Sequence, residues 1–211
     1  MMLSTTTISL ENFFQNAFQK AIISDDRKSL LRTISKAIAE EYKLKNVVNL
    51  NFICTHNSRR SQLGQVWSFY AAHYFNLNIN AFSGGTEVTA FYRNTVKTLQ
   101  KVGFEFQLVD FSHQNPTYQI TIKNTKKAIL GFSKLYSNPI NTAPFMAITT
   151  CNNADVNCPF IPNASYRFHV PFVDPKHADK SEKQEEIYLQ TSQQIAGEVY
   201  FIFADVKKLL Q

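Results

Sequence analysis

The sequence predicts an α/β domain in which a parallel sheet is covered by helices on both faces. Three observations lead there. Short apolar runs alternate along the chain with segments whose apolar residues recur every three or four positions, the pattern of strands joined by helical crossovers. The run Val47-Val48-Asn49-Leu50-Asn51-Phe52-Ile53 is apolar at alternate positions and at both ends, as in a strand buried on both faces. The chain has 211 residues, 44% hydrophobic and 18% charged, with eighteen Phe. That is enough for one full core and short for two.

The elements follow in order. Ile8 to Ile23 reads as a helix, with Leu10, Phe13, Phe14, Ala17, Phe18, Ala21 and Ile22 at helical spacing. Ser24-Asp25-Asp26 supplies a break and an N-cap. Lys28 to Leu44 is a second helix, with Leu31, Ile34, Ile38 and Tyr42 on one face. These two are expected to form a helical hairpin, residues 1–45, packed on a main domain of residues 46–211; dimerisation or partner docking through them is the alternative. After the strand at 47–53 comes a polar turn, Cys54 to Ser61, and then a helix from Leu63 to Phe75. Ile79 to Phe82 is a short strand ending in Ser83-Gly84-Gly85, and Asn94 to Val102 is a helix stopped by Gly103. Tyr118 to Ile122 and Ala128 to Phe132 read as strands joined by a hairpin loop. Phe145 to Thr150 and Tyr166 to Val170 are further strands. Pro171 to Asp179 is a loop, and Glu182 to Leu210 is one long helix with Ile187, Ile195, Val199, Ile202 and Val206 inward.

Composition removes several function classes. No run of eighteen apolar residues exists, so no membrane span is expected. Residues Met1 to Leu10 lack the basic and apolar regions of a secretory signal. Three cysteines, an odd count, argue against a disulfide scaffold and for a reducing, cytoplasmic setting. The net charge is +6, but no block of five like charges and no nucleic-acid-binding motif accompanies it. A solvated basic surface is the plain reading of that charge; steering of an anionic substrate is the sharper one.

Chemistry concentrates at Cys54-Thr55-His56-Asn57-Ser58-Arg59-Arg60-Ser61, a cysteine followed six residues later by arginine and then serine. A loop between a strand and a helix N-terminus turns successive N–H groups into one concavity, a nest for an anion. The helix dipole adds positive potential, and Arg60 offers a planar fork to two oxygens of a tetrahedral oxyanion. Cys54 at the base of that nest has its thiolate favoured, which makes it a nucleophile beneath a bound oxyanion. Ser61 is placed to donate to its sulfur, and Asn57 suits a tight turn. Cys151 and Cys158 bracket six residues. That is not zinc or thioredoxin spacing, and it leaves a redox pair, two buried structural thiols, or a zinc site with His169 or His177 as readings. Asp174-Pro175 alone is a turn signal.

The run Ile53 to Gln62 resembles the phosphate loop of the low-molecular-weight protein tyrosine phosphatase superfamily, and within it the chain is most similar to the thioredoxin-coupled arsenate reductases. The likeness runs from about Val47 onward and includes Phe82-Ser83-Gly84-Gly85-Thr86-Glu87, Asn94-Thr95-Val96-Lys97 with Val102-Gly103, and Asp174-Pro175. It implies a three-layer phosphatase-like fold around a four-stranded parallel sheet, to which the N-terminal helices are an extension. It also implies that Thr55, His56, Asn57, Ser58, Arg59, Arg60 and Ser61 hold the oxyanion, that Cys54 attacks it, and that Asp174 is the general acid. In the reductases a cysteine pair at this spacing is the redox relay, which maps onto Cys151 and Cys158. No bound cofactor and no catalytic metal are implied; the reductant is an external thiol protein such as thioredoxin. Two rivals stand beside arsenate reduction: hydrolysis of a phosphotyrosine or other phosphoester through a phosphocysteine, and a non-catalytic phosphate-binding module.

The chain also departs from the family pattern. His56 stands where Gly is usual, so either the loop is reshaped or the imidazole joins the anion site. Arg59 replaces a cysteine outside the relay and is expected to make the mouth more cationic. Gln65 stands where the reductases often have a Glu that helps bind a potassium ion. Lys176 follows Asp174-Pro175 where phosphatases put a Tyr, leaving Phe172, Tyr92 or Phe91 as candidates to line a pocket. The first 45 residues and the stretch from about Asp110 to Pro144 lack counterparts in the simple family members.

Overall fold

The computed structural model describes residues 9–157 and 160–211. Its centre is a four-stranded parallel sheet built from β1 (Val48–Cys54), β2 (Ile79–Gly85), β6 (Phe145–Thr149) and β7 (Ala164–His169), in the order β2-β1-β6-β7. The order reverses at β1, the first strand, so the crevice beyond its carboxyl end is where a ligand belongs in such a sheet. Register aligns that end: Cys54 faces Gly85 on one neighbour, and Ile53 faces Thr149 on the other.

Helices cover both faces. They are α1 (Leu10–Gln19), α2 (Asp25–Lys45), α3 (Arg60–Tyr74), α4 (Arg93–Lys101), the short α5 (Asn152–Asn157) and the long α6 (Gln184–Leu209). The three-layer α/β fold with a four-stranded parallel sheet is thus as the sequence predicts.

The N-terminal pair is arranged differently from the expected hairpin. α1 ends at Gln19 rather than Ile23, and Ile22 is fully exposed in the linker. Ile8 lies outside the described residues. Ser24 does cap α2, its Oγ accepting from the Arg27 N–H at 3.3 Å. The two helices pack mainly on α6 rather than on each other. Gly197 of α6 permits this: a Cβ there would stand 2.6 Å from the Ala17 carbonyl oxygen of α1. Arg27 of α2 reaches α6 through an ion pair with Glu198 at 2.8 Å. Burial pushes the Glu198 carboxyl up, and Arg27 opposes the shift.

An aromatic cluster joins these helices to the sheet cover. Phe14 is fully buried, stacked on Trp67 at 5.7 Å between ring centres and edge-on to Tyr70 at 5.1 Å. The Trp67 indole N–H donates to Ser192 of α6 at 3.0 Å.

A second sheet lies in the central stretch. β3 (Phe104–Asp110), β4 (Thr117–Ile122) and β5 (Ala128–Gly131) are antiparallel in that order. The β4–β5 hairpin is as expected. β3 is not among the predicted elements, although Phe104, Phe106 and Leu108 alternate; only Phe104 is fully buried and Leu108 is half-exposed. The segment after Cys151 forms α5. Asp155 anchors it, accepting from Thr149 Oγ1 at 2.8 Å and pairing with Arg167 at 2.6 Å.

Phe14→Ala should lower the unfolding free energy by about 3–5 kcal/mol, the usual cost of emptying a buried aromatic site. Urea denaturation measures it. A loss below about 1 kcal/mol would mean that α1 is not part of the cooperative core.

Candidate active site

The loop from Cys54 to Arg60 leaves β1 and enters α3 at the reversal point of the sheet. Its carbonyls turn outward. The Thr55 oxygen accepts from the Glu87 N–H at 2.8 Å, and the His56 oxygen accepts from Ser133 Oγ at 2.8 Å. Among the described residues none of the amide N–H groups of residues 55–60 has a protein acceptor. Cys54, Thr55, His56, Ser58, Arg59, Arg60 and Asp174 line a small hollow at this loop. Gly85 forms its back wall: a Cβ there would lie 2.7 Å from the Thr55 oxygen and 2.9 Å from the Asn57 nitrogen.

Asn57 makes the turn with φ +47°. Its Nδ2 donates to Ser61 Oγ at 2.8 Å, and Ser61 Oγ lies 3.0 Å from Cys54 Sγ. A hydroxyl that accepts from Asn57 keeps its own hydrogen for the sulfur. Asn57 Oδ1 accepts from the Lys134 N–H at 2.9 Å and from Gln62 Nε2 at 3.2 Å.

Arg60 spans the mouth. One terminal nitrogen pairs with Asp174 at 2.6 Å and the other donates to the Phe172 carbonyl at 3.0 Å. Its Nε is buried and has no partner among the described residues, a donor left for an anion. Asp174 also caps the 3-10 turn Pro175–Ala178 by accepting from the Lys176 N–H at 3.0 Å.

Arg59 does not present its guanidinium to solvent. Its guanidinium carbon stands 3.9 Å from the Tyr92 ring centre, and the group pairs with Asp179 at 2.7 Å and donates through Nε to Tyr188 at 2.6 Å. Tyr188 in turn donates to Asp179 at 2.6 Å, and burial, with that bond, pushes its phenol up. Its charge is matched by Asp179, and its role here is to tie the loop to α6 and the 3-10 turn. His56 keeps an ordinary backbone and turns Nε2 to the Glu87 carboxylate at 3.3 Å, so the loop is not opened by a left-handed histidine.

Cys151 follows β6 and is buried, its Sγ 3.5 Å from Thr55 Oγ1. It lines a groove of about 630 Å³ together with Arg60, Phe172 and Asp174. The structure therefore brings Cys54, Cys151, Arg60 and Asp174 to one place. Cys158 lies outside the described residues. Of the aromatic candidates, Phe91 is buried against Phe106 and Tyr118, and Tyr92 is covered by Arg59; only Phe172 borders the groove. Tyr188, Asp179 and Lys134 were not singled out in the sequence. Each lies in a segment without a motif, and only tertiary contact gives it a place at the site.

An amide-lined hollow over a buried thiol can hold a tetrahedral oxyanion for attack by sulfur, which puts the chain among cysteine-based oxyanion-handling domains. No family model matches the chain. An arsenate reductase of Staphylococcus epidermidis is 30% identical over 133 residues, 63% of this chain and 82% of that one. The arsenate reductase of Bacillus subtilis is 27% identical over 157 residues, covering 74% and 95%. Among solved structures, a YwlE arginine phosphatase with a phosphorylated active-site serine superimposes with a TM-score of 0.54 at 15% identity, covering 76% of this chain and 97% of that one. A low-molecular-weight tyrosine phosphatase from T. tengcongensis gives 0.51 at 14%, covering 74% and 98%. The solved structures share the fold. The chain belongs to the low-molecular-weight phosphatase-like superfamily, which holds both arsenate reductases and tyrosine phosphatases.

The residues present do not fit the potassium ion that the resemblance brings to mind. The Gln65 side-chain oxygen Oε1 accepts from Ser83 Oγ at 2.5 Å, and Gln65 Nε2 donates to the Leu130 carbonyl. Beside them stands Lys134, 3% exposed, with Nζ 3.5 Å from Ser83 Oγ. Burial lowers its ammonium from 10.5 to about 7. The unfolded chain thus keeps a proton on Lys134 over a range where the folded one has released it, and unfolding takes up that proton. Stability should rise with pH between about 7 and 10.5 and fall as pH drops through 7. Chemical denaturation across this range measures the slope, and Lys134→Met should flatten it relative to the wild type.

Proposed function

We propose that this chain reduces arsenate, using Cys54 as nucleophile and Cys151 with Cys158 as a thiol relay. The position of Cys151 carries the reading: a second thiol against Thr55 of the anion loop, on the groove that Arg60 and Asp174 share. A phosphatase needs only the first thiol. The two relatives above, named as arsenate reductases, support the same direction.

Arsenate enters the hollow, where its oxygens accept from the free amides and from the Arg60 Nε–H. It competes with Asp174 for Arg60 and frees that carboxyl to face the departing oxygen. The Cys54 thiolate, held by Ser61, attacks arsenic, and one oxygen leaves as water with a proton from Asp174. The Cys151 thiolate then attacks the Cys54 sulfur. The sulfur–arsenic bond breaks with its electron pair going to arsenic, which departs as arsenite. Cys158 attacks Cys151, frees Cys54, and leaves a Cys151–Cys158 disulfide. An external dithiol protein of the thioredoxin type reduces it, so no bound cofactor is required.

The test is paired. Arsenate with thioredoxin, thioredoxin reductase and NADPH should consume NADPH, and Cys54→Ser, Cys151→Ser or Cys158→Ser should each abolish that consumption. Asp174→Asn should lower kcat by about 10²–10⁴-fold, the usual value of a positioned acid. Rapid release of para-nitrophenol from its phosphate, with no arsenate-dependent NADPH loss, would identify a phosphatase instead. Tight phosphate binding without turnover of either substrate would identify a binding module.

A further inference from the structure

We propose that the Lys134 ammonium is a tethered cation that stands in for a bound monovalent metal ion behind the anion loop, making Lys134 a positioning residue for Asn57 and Cys54. Lys134 is almost wholly buried, and no carboxylate among the described residues pairs with it. Its Nζ has Ser83 Oγ at 3.5 Å and the face of Phe132 at 4.7 Å. A buried cation with so little compensation is costly to keep. Such a cost is expected where the charge serves a site.

The backbone of the same residue is tied to the nucleophile. The backbone N–H of Lys134 donates to Asn57 Oδ1, Asn57 Nδ2 donates to Ser61 Oγ, and Ser61 Oγ touches Cys54 Sγ. On the other side, Lys134 Nζ, Ser83 and Gln65 form a second short chain. Gln65 fits this arrangement. A glutamate there would neutralise the ammonium; a carboxamide whose oxygen is already taken leaves the positive charge without a carboxylate among the described residues. A metal ion would need oxygen donors where Lys134 offers only N–H groups. The proposal deepens the oxyanion reading of the loop, and one arm of its test is independent of that reading.

In the first arm, thermal unfolding at about pH 6, where Lys134 holds its proton, is followed in potassium, sodium and tetramethylammonium chloride at equal ionic strength. The wild-type midpoint should agree within about 1 °C across the three salts, since nothing binds. The double variant Lys134→Ser with Gln65→Glu clears the ammonium and supplies a carboxylate; it should gain a saturable, potassium-specific rise of about several degrees. In the second arm, sulfate, a dianion throughout, is titrated by calorimetry. Lys134→Met should bind it at least about tenfold more weakly, and Lys134→Arg should recover part of the loss.

Saturable stabilisation of the wild type by potassium overturns the proposal, as does wild-type sulfate affinity in Lys134→Met. If the wild type binds no sulfate, the oxyanion reading fails while the potassium arm still decides the role of Lys134. If Lys134→Met does not fold, the wild-type comparison of salts decides alone.

Discussion

Asn57 sets the shape of the site, because one buried side chain satisfies three groups on two separate segments. It holds Ser61 at the start of α3, Gln62 one position on, and the backbone of Lys134 from the segment after β5. Its left-handed backbone lets the chain reverse within the loop. Without those bonds the Ser61 hydroxyl loses the donor that fixes its direction toward Cys54. The loop amides would also be free to find other acceptors. The hollow is thus prepared before any anion arrives, which is the condition under which fixed dipoles do most for a reacting charge.

A second layer of contacts holds the loop against the rest of the domain. Arg59 joins it to Tyr92, Tyr188 and Asp179, and Arg60 joins it to Asp174 and the Phe172 carbonyl. The adjacent arginines therefore divide the work. The first is locked between an aromatic face and a carboxylate, and the second keeps an unpaired Nε at the mouth. Asp155, Thr149, Arg167 and His169 do for α5 what Arg59 does for the 3-10 turn, fixing the backbone that carries Cys151. The stability of these attachments and the chemistry at the hollow are separate demands, and Lys134 is where they conflict most openly.

Much of the fold was legible because its signals are local. The buried strand around Leu50 and Phe52, the apolar periodicity of α2, α3 and α6, and the cap at Ser24 each follow from a few neighbouring residues. The anion loop was legible for the same reason, since Cys54, Asn57, Arg60 and Ser61 lie within eight positions. What escaped depends on distant partners. The helical pair has hairpin-like spacing, but α6 offers a longer apolar face, so each helix packs there instead. β3 carries the right alternation with little burial to enforce it. Arg59 reads as a mouth cation until Tyr92 and Asp179 are seen beside it, and nothing near Lys134 in sequence marks it as buried.

The attachment of α1 and α2 to α6 also has a consequence for the order in which the molecule is built. A ribosome adds about 5–20 residues per second, so the apolar face around Phe14 emerges on the order of ten to thirty seconds before the helix that covers it. Through that interval Phe13 and Phe14 have only Trp67 and its neighbours to meet, and Tyr200, against which Phe18 stacks, has not yet been made. The apolar face of α1 and α2 therefore stays uncovered until α6 is made, and this part of the core closes only when α6 arrives.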